Sequence, residues 1–219
     1  MTSIRTAYAM KADQERLRIF DSNRIPVGTA SRSEVHEKGY YHEAFHCWFV
    51  SKEDNEHHIY LQLRSKEKKD HPGLFDITAA GHLTAEETVA DGVREIKEEL
   101  GVDVPFDNLQ PLGMIPYHYS NGGFIDNELA HVFLYQHRFG FHDFQLQTEE
   151  TEGIVKTLLH DFSDLWNGHT KSISLTGVRL LTDGSVVPLQ LRADSSLFVP
   201  HEISYYRAVL AAIQEKLAT

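Results

Sequence analysis

One short run constrains this chain more than any other: Arg94, Glu95, Ile96, Lys97, Glu98, Glu99, Leu100 and Gly101. Upstream, Val89, Val93, Ile96 and Leu100 fall at helical spacing, so residues 84–100 read as an amphipathic helix. Thr84 stands three residues ahead of Glu87, as in a capping box, and Gly101 ends the run. On such a helix Glu95 neighbours both Glu98 and Glu99. Three carboxylates on one turn repel each other unless a cation neutralises them, and Lys97 points elsewhere. Clustered carboxylate oxygens are what Mg²⁺ or Mn²⁺ binds, usually together with substrate phosphates. An isolated acidic helix face is most often only solvated, so the surrounding pattern decides the matter.

The rest of the chain reads as a mixed α/β (α+β) domain. Residues 16–28 loosely alternate and end in Pro26 and Gly28, an edge strand and turn. Residues 43–50, rich in aromatics, read as a buried strand, and residues 58–64 as an alternating one, with residues 51–57 as the hairpin loop between them. Residues 66–73 form a charged loop, and residues 74–80 a short strand. Further strands are expected at 112–119 and 128–138, and helices at 158–166 and 201–217. Strands alternating with helices in this order imply a sheet flanked by helices.

The formal net charge of -11 gives no electrostatic reason to seek nucleic acid or anionic membranes. A polyanionic substrate would need local compensation, which divalent cations supply. The single cysteine, Cys47, precludes an intramolecular disulfide. Residues 1–13 are polar, without an apolar leader, and no stretch reaches the roughly 20 apolar residues of a membrane span. A cytoplasmic location is the expectation, and a homodimer is compatible with the sequence.

The acidic helix belongs to a longer pattern running from Gly81 to Val102, which resembles the Nudix box: Gly, five residues, Glu, seven residues, then Arg-Glu-aliphatic-any-Glu-Glu-any-Gly-aliphatic. Positions Arg94 to Val102 match throughout. Gly81 and Glu87 have the right mutual spacing, but only six residues separate Glu87 from Arg94. Counting back from Arg94 selects Glu86 and Ala80 instead, so the outer acid is Glu87 or Glu86, with Gly81 favouring Glu87. The resemblance implies a Nudix fold, a mixed β-sheet flanked by helices, with the box over a diphosphate. It implies that Arg94 orients the carboxylates by charge-assisted hydrogen bonds, that Glu95, Glu98, Glu99 and Glu87 hold Mg²⁺ or Mn²⁺ with His82 alongside, and that Glu98, Glu95, Arg94 and Glu128 carry the chemistry.

From about Leu17 to Gly168 the chain is also similar to the branch that includes isopentenyl-diphosphate isomerase. Tyr41-His42-Glu43-Ala44-Phe45, Ala80-Gly81-His82, Asp126-Asn127-Glu128 and Asp164-Leu165-Trp166-Asn167-Gly168 carry this likeness. It implies a second metal site of His36, His42, His82, Asp126 and Glu128, of a kind suited to Mn²⁺, Zn²⁺ or Fe²⁺. The spacing of His36 and His42 is one residue short of the isomerase pattern, and one of the two acids is Asp rather than Glu. That isomerase also needs a cysteine where this chain has Ala80; Cys47 lies on another strand. The full set of box glutamates and the missing thiol favour hydrolysis.

Other candidates divide between site and surface. Arg64, Lys66, Lys68 and Lys69 make a basic patch in an acidic chain, suited to phosphate or simply solvated. Gly81, Arg64, Lys69 and Tyr117 are the expected substrate contacts. Tyr117, His118 and Tyr119 suit either base stacking or sheet packing, and Glu149, Glu150 and Glu152 read as a surface loop. Residues 1–168 are expected to form the Nudix domain with an N-terminal strand extension, and residues 169–219 a C-terminal extension packed on it. The resulting expectation is a metal-dependent hydrolase cleaving a diphosphate linkage in a small-molecule substrate, a nucleoside diphosphate or a molecule linked to one. The alternatives are prenyl diphosphate isomerisation and a non-catalytic nucleotide-binding module.

Overall fold

The computed structural model describes residues 15–138 and 140–218, so the reading of residues 1–13 falls outside it. Among the described residues, eleven strands form one sheet: β1 (Arg16–Phe20), β2 (Pro26–Ser31), β3 (Tyr41–Glu53), β4 (Glu56–Arg64), β5 (Phe75–Asp76), β6 (Ala79–His82), β7 (Gln110–Asn121), β8 (Phe124–Gln136), β9 (Thr151–Leu158), β10 (Ile173–Leu180) and β11 (Val186–Ala193). Among the described residues four α-helices accompany it: α1 (Arg32–Lys38), α2 (Val93–Leu100), α3 (Leu159–Asn167) and α4 (Ile203–Leu217).

Strand β3 is the axis of the fold. One edge runs parallel to β8, from Tyr41 against Asn127 to Val50 against Gln136. Its other edge is shared by three strands in succession: β1 at Tyr41 and His42, β6 from Ala44 to Cys47, and β4 from Val50 onward. Both faces are covered as well. Phe45, Cys47 and Phe49 pack with Ile96 and Leu100 of α2. Trp48 and Val50 pack with Phe162 and Trp166 of α3 and Tyr206 of α4. A strand covered on both faces needs apolar side chains on both, which is why residues 43–50 stand out in the sequence.

The structure corrects several local expectations. The hairpin loop shrinks to Asp54 and Asn55, both with positive φ (49° and 66°), the backbone that a tight two-residue hairpin requires. The strand expected at 74–80 is two strands, β5 and β6, broken at Ile77, whose amide donates to the Asp76 carboxylate at 2.8 Å. Helix α2 starts at Val93, not at residue 84. The Glu87 carboxylate does accept the Thr84 amide at 2.7 Å, but this closes a turn rather than a helix. A separate 3-10 turn, Val89–Gly92, follows with its own cap from Asp91 to Thr88. Four elements were absent from the sequence reading. Helix α1 is short, capped by Ser31 and ended by Gly39 in the left-handed region. Strand β9 follows the acidic residues 149 and 150, and β10 and β11 extend the sheet through residues after 168.

Gly92 joins the 3-10 turn to α2 where a Cβ would meet the Phe45 ring at 2.5 Å. Its φ of -59° suits any residue, so alanine faces a steric obstacle only. Helix propensity favours alanine by about 1 kcal/mol, while overpacking a tight core costs about 1–3 kcal/mol. Gly92→Ala is therefore expected to lower the denaturation midpoint by the equivalent of about 1 kcal/mol, and an unchanged or raised midpoint would contradict this packing.

Candidate functional site

Strand β6 and helix α2 build the first half of the site. A Cβ at Gly81 would lie 2.2 Å from the Glu95 carboxylate, so glycine leaves the space in which that carboxylate lies against the strand. Glu99 is buried: its Oε2 accepts from Gln62 Nε2 at 2.9 Å and from the Ala80 amide at 3.0 Å. Its Oε1 lies 3.9 Å from Lys68 Nζ, which also pairs with Glu150. Glu95 is 12% exposed and Glu98 56% exposed. Arg94 gathers the group, with Nη1 2.6 Å from Glu95 and 3.5 Å from Glu98, and Nη2 donating to the His82 carbonyl at 2.9 Å. Both oxygens of Glu87 are engaged by Arg94. Of the two candidates for the outer acid, Glu87 thus has the contact with Arg94, and it stands as an anchor of that arginine rather than beside Glu99.

Burial, and then the neighbouring Glu99 and Glu98 against the pull of Arg94, pushes the Glu95 carboxyl up to about 8. Burial raises Glu99 too, and Glu150 to about 7. A carboxyl raised in the folded state binds more protons there than in the unfolded chain, so stability falls as pH rises toward the folded value. Buried His42 and His82 are lowered by burial and act oppositely below their ordinary value of 6.5. The metal-free protein is therefore expected to lose thermal stability from about pH 6.5 to 8, and Mn²⁺ to restore it. A flat melting profile across this window would refute the assignment.

The second half comes from four distant segments. Nitrogen and oxygen atoms of His36, His42, His82 and Asp126 lie within 4.8 Å of one another. The Nδ1 atoms of His36 and His42 face the carbonyls of Arg32 and Tyr40 at 2.8 and 3.1 Å. Each Nδ1 thus donates to a backbone carbonyl, and the Nε2 atoms turn toward Asp126 at 3.5 and 3.3 Å. Both Nε2 atoms and Asp126 Oδ1 are buried without a hydrogen-bond partner. Orphaned polar atoms are costly inside a protein, and imidazoles fixed by a second hydrogen bond are the usual form of metal ligands. The donor set fits a divalent transition metal. His82 thus groups with the histidines, adjoining Gly81 and Glu95. Glu128 lies 3.7 Å from His82 and 3.0 Å from His46.

Both halves open into one cavity of about 1230 Å³. Arg64 and Lys69 line it, as does Tyr117. Arg64 is partly engaged, donating to the Asp70 carbonyl and to Asp76 at 2.8 Å. Tyr117 is packed edge-on against Tyr205 of α4 and against His201. The acidic run expected at the surface is a correction: Glu150 is buried by its pairing with Lys68, and Glu152 is bound by Arg179 at 2.6 Å. His46, Asp76 and His201 were missed altogether. His46 lies opposite Ala80 across β3 and β6, while Cys47 is buried on the other face among Phe45, Phe49 and Ile96, its thiol pushed up by burial.

The carboxylates of α2 and the imidazole group thus share the wall of one cavity on a mixed sheet. The chain belongs to the Nudix family, residues 40–174 matching the profile described as NUDIX domain. It is 34% identical to an uncharacterized Nudix hydrolase of Clostridium acetobutylicum, over 93% of this chain and 98% of that protein. It is 37% identical to Nudix hydrolase 3 of Arabidopsis thaliana over 56% of this chain and 16% of that longer protein. With Isopentenyl-diphosphate Delta-isomerase 2 of Photorhabdus laumondii it shares 31% identity, over 55% of this chain and 66% of the isomerase. The crystal structure of DR0079 from Deinococcus radiodurans superposes with a TM-score of 0.51 at 18% identity, covering 70% of this chain and 90% of that one, a likeness of fold. Among the described residues no helix is long and apolar enough to cross a membrane.

Proposed function

We propose that this Nudix hydrolase cleaves a diphosphate linkage in a nucleoside diphosphate or a small molecule linked to one, with Mg²⁺ or Mn²⁺ as cofactor. The observation that carries the reading is the placement of Glu95, Glu98 and Glu99 on one turn of α2, facing the cavity beside Gly81. A divalent cation bound there would polarise phosphoryl oxygen and lower the barrier to attack by water. Glu95, Glu98 and Glu99 offer the oxygens, and Arg94 fixes their rotamers from its anchor on Glu87. His36, His42, His82 and Asp126 form a second site in the same cavity, with Glu128 placed between that group and His46 as a base or accessory ligand. Arg64, Lys69 and Tyr117 lie where a phosphate would be met, and Gly81 keeps the backbone clear. The continuous sheet supports treating residues 169–219 as an addition to the same domain.

The imidazole group favours a second reading, isomerisation of a prenyl diphosphate. Against it, Ala80 holds no thiol, and Cys47 faces the opposite side of the sheet, so a proton-transfer partner is missing. The test is phosphate or nucleotide release from nucleoside diphosphates, nucleotide sugars and dinucleotides with Mg²⁺ or Mn²⁺, alongside NMR of isopentenyl diphosphate in heavy water. Metal-dependent cleavage of one class is expected. Deuterium incorporation without cleavage would replace the hydrolase by the isomerase.

A further inference from the structure

Part of the cavity wall, Val199 and His201, comes from beyond residues 40–174, the segment that matches the family profile. The Val199 amide donates to the Phe75 carbonyl at 2.8 Å, and the Tyr206 hydroxyl donates to the Val199 carbonyl at 3.0 Å. These contacts bring His201 over the end of β5. Its Nε2 lies 2.7 Å from Asp76 Oδ1 and its Nδ1 3.0 Å from the Tyr117 hydroxyl. Asp76 is held in turn by Arg64 at 2.8 Å and by the Ile77 amide at 2.8 Å. Every polar atom of the His201 ring is thus committed, one to a carboxylate and one to a phenol.

Tyr117 stands directly across from Glu128 in the β7–β8 ladder, and residues opposite each other in such a ladder project from the same face. Its ring is boxed by His46, His201 and Tyr205. The ring cannot swing, and His201 fixes where its hydroxyl oxygen sits. Tyr117 lines the same cavity as His82 and Glu128.

We propose that His201 is a positioning residue: held by the Arg64–Asp76 pair, it donates through Nε2 to Asp76 and through Nδ1 to the Tyr117 oxygen, which leaves the Tyr117 hydroxyl proton to donate to an oxygen of the diphosphate, so the C-terminal addition is part of the substrate site. The inference rests on the diphosphate reading above but takes its test from binding rather than turnover. A buried network of this kind otherwise contributes only stability, and the experiment separates the two roles.

Binding of methylenediphosphonate, an uncleavable diphosphate, is measured by calorimetry with Mn²⁺ present for the wild type, Tyr117→Phe, His201→Ala and the double variant. Each single change is expected to weaken binding by roughly ten- to a hundredfold, the size of a lost hydrogen bond to a charged group. The double variant is expected to bind no worse than the weaker single one, because His201 acts through Tyr117. His201→Asn, whose amide reaches the Nδ1 position, is expected to recover most of the loss without restoring the Asp76 contact. Effects that multiply in the double variant, unchanged binding in His201→Ala, or no binding by the wild type each overturn the proposal. A wild type that binds the probe with this coupling but cleaves nothing in the substrate panel would fail the hydrolase reading alone.

Discussion

Glu95→Gln is expected to lower metal-dependent turnover by about a hundredfold or more while leaving the fold intact. The replacement keeps the shape of a side chain packed against Gly81, where a Cβ would already be only 2.2 Å away. It also keeps an oxygen for Arg94, now 2.6 Å from Glu95. What it removes is a charge beside Glu98 and Glu99. Because burial pushes Glu95 up to about 8, the metal-free variant should melt no lower than the parent near pH 8, and higher if the carboxylate is ionised there. Loss of turnover with retained or increased stability identifies a functional carboxylate; unchanged turnover would sink the assignment of α2 as the catalytic helix.

His42→Leu is expected to weaken Mn²⁺ or Zn²⁺ binding at the imidazole site by about ten- to a hundredfold. The side chain is fully buried, and leucine fills similar space while removing the orphaned Nε2. The folded state should survive, since the change deletes the orphaned Nε2 and gives up one hydrogen bond, from Nδ1 to the partly buried Tyr40 carbonyl, worth about 1 kcal/mol. Metal retained after gel filtration, or Mn²⁺ titration followed by electron paramagnetic resonance, reads the outcome. Stoichiometry and affinity equal to the parent would show that His36, His42, His82 and Asp126 converge for another reason. Glu95→Gln serves as the internal comparison, because its carboxylate belongs to the other half of the cavity.

The two halves were unequally legible in the sequence for a physical reason. The carboxylates of α2 are neighbours by helical geometry alone, and Gly81 and Gly101 bracket them within about one motif length. Strand β3 announced itself by a run of aromatic and apolar residues. His36 and His42, by contrast, meet Asp126 only because β3 runs parallel to β8 in a register that places His42 opposite Glu128. Nothing local encodes that register. Glu150 was taken for a surface acid because charge runs usually are exposed, and only the fold brings Lys68 over it. His201 read as the first residue of a helix that in fact begins at Ile203; its role depends on Asp76 and Tyr117, 125 and 84 residues away. The helix α2 itself was overextended because hydrophobic spacing continues through Val89, whereas Glu87 and Asp91 close separate turns before Gly92.

The crowding of β3 bears on how the chain reaches its native state. Its edges are occupied by strands drawn from residues 16–20, 56–64, 79–82 and 124–136. Apart from the β4 hairpin, these pairings close larger loops before they are rewarded, and chains dominated by such pairings fold slowly. During synthesis, a chain that ends before residue 124 presents the apolar edge of β3 with no partner, an invitation to pair with other molecules. Refolding yield should therefore fall with protein concentration, and truncation between β7 and β8 should yield inclusion bodies rather than a smaller soluble domain.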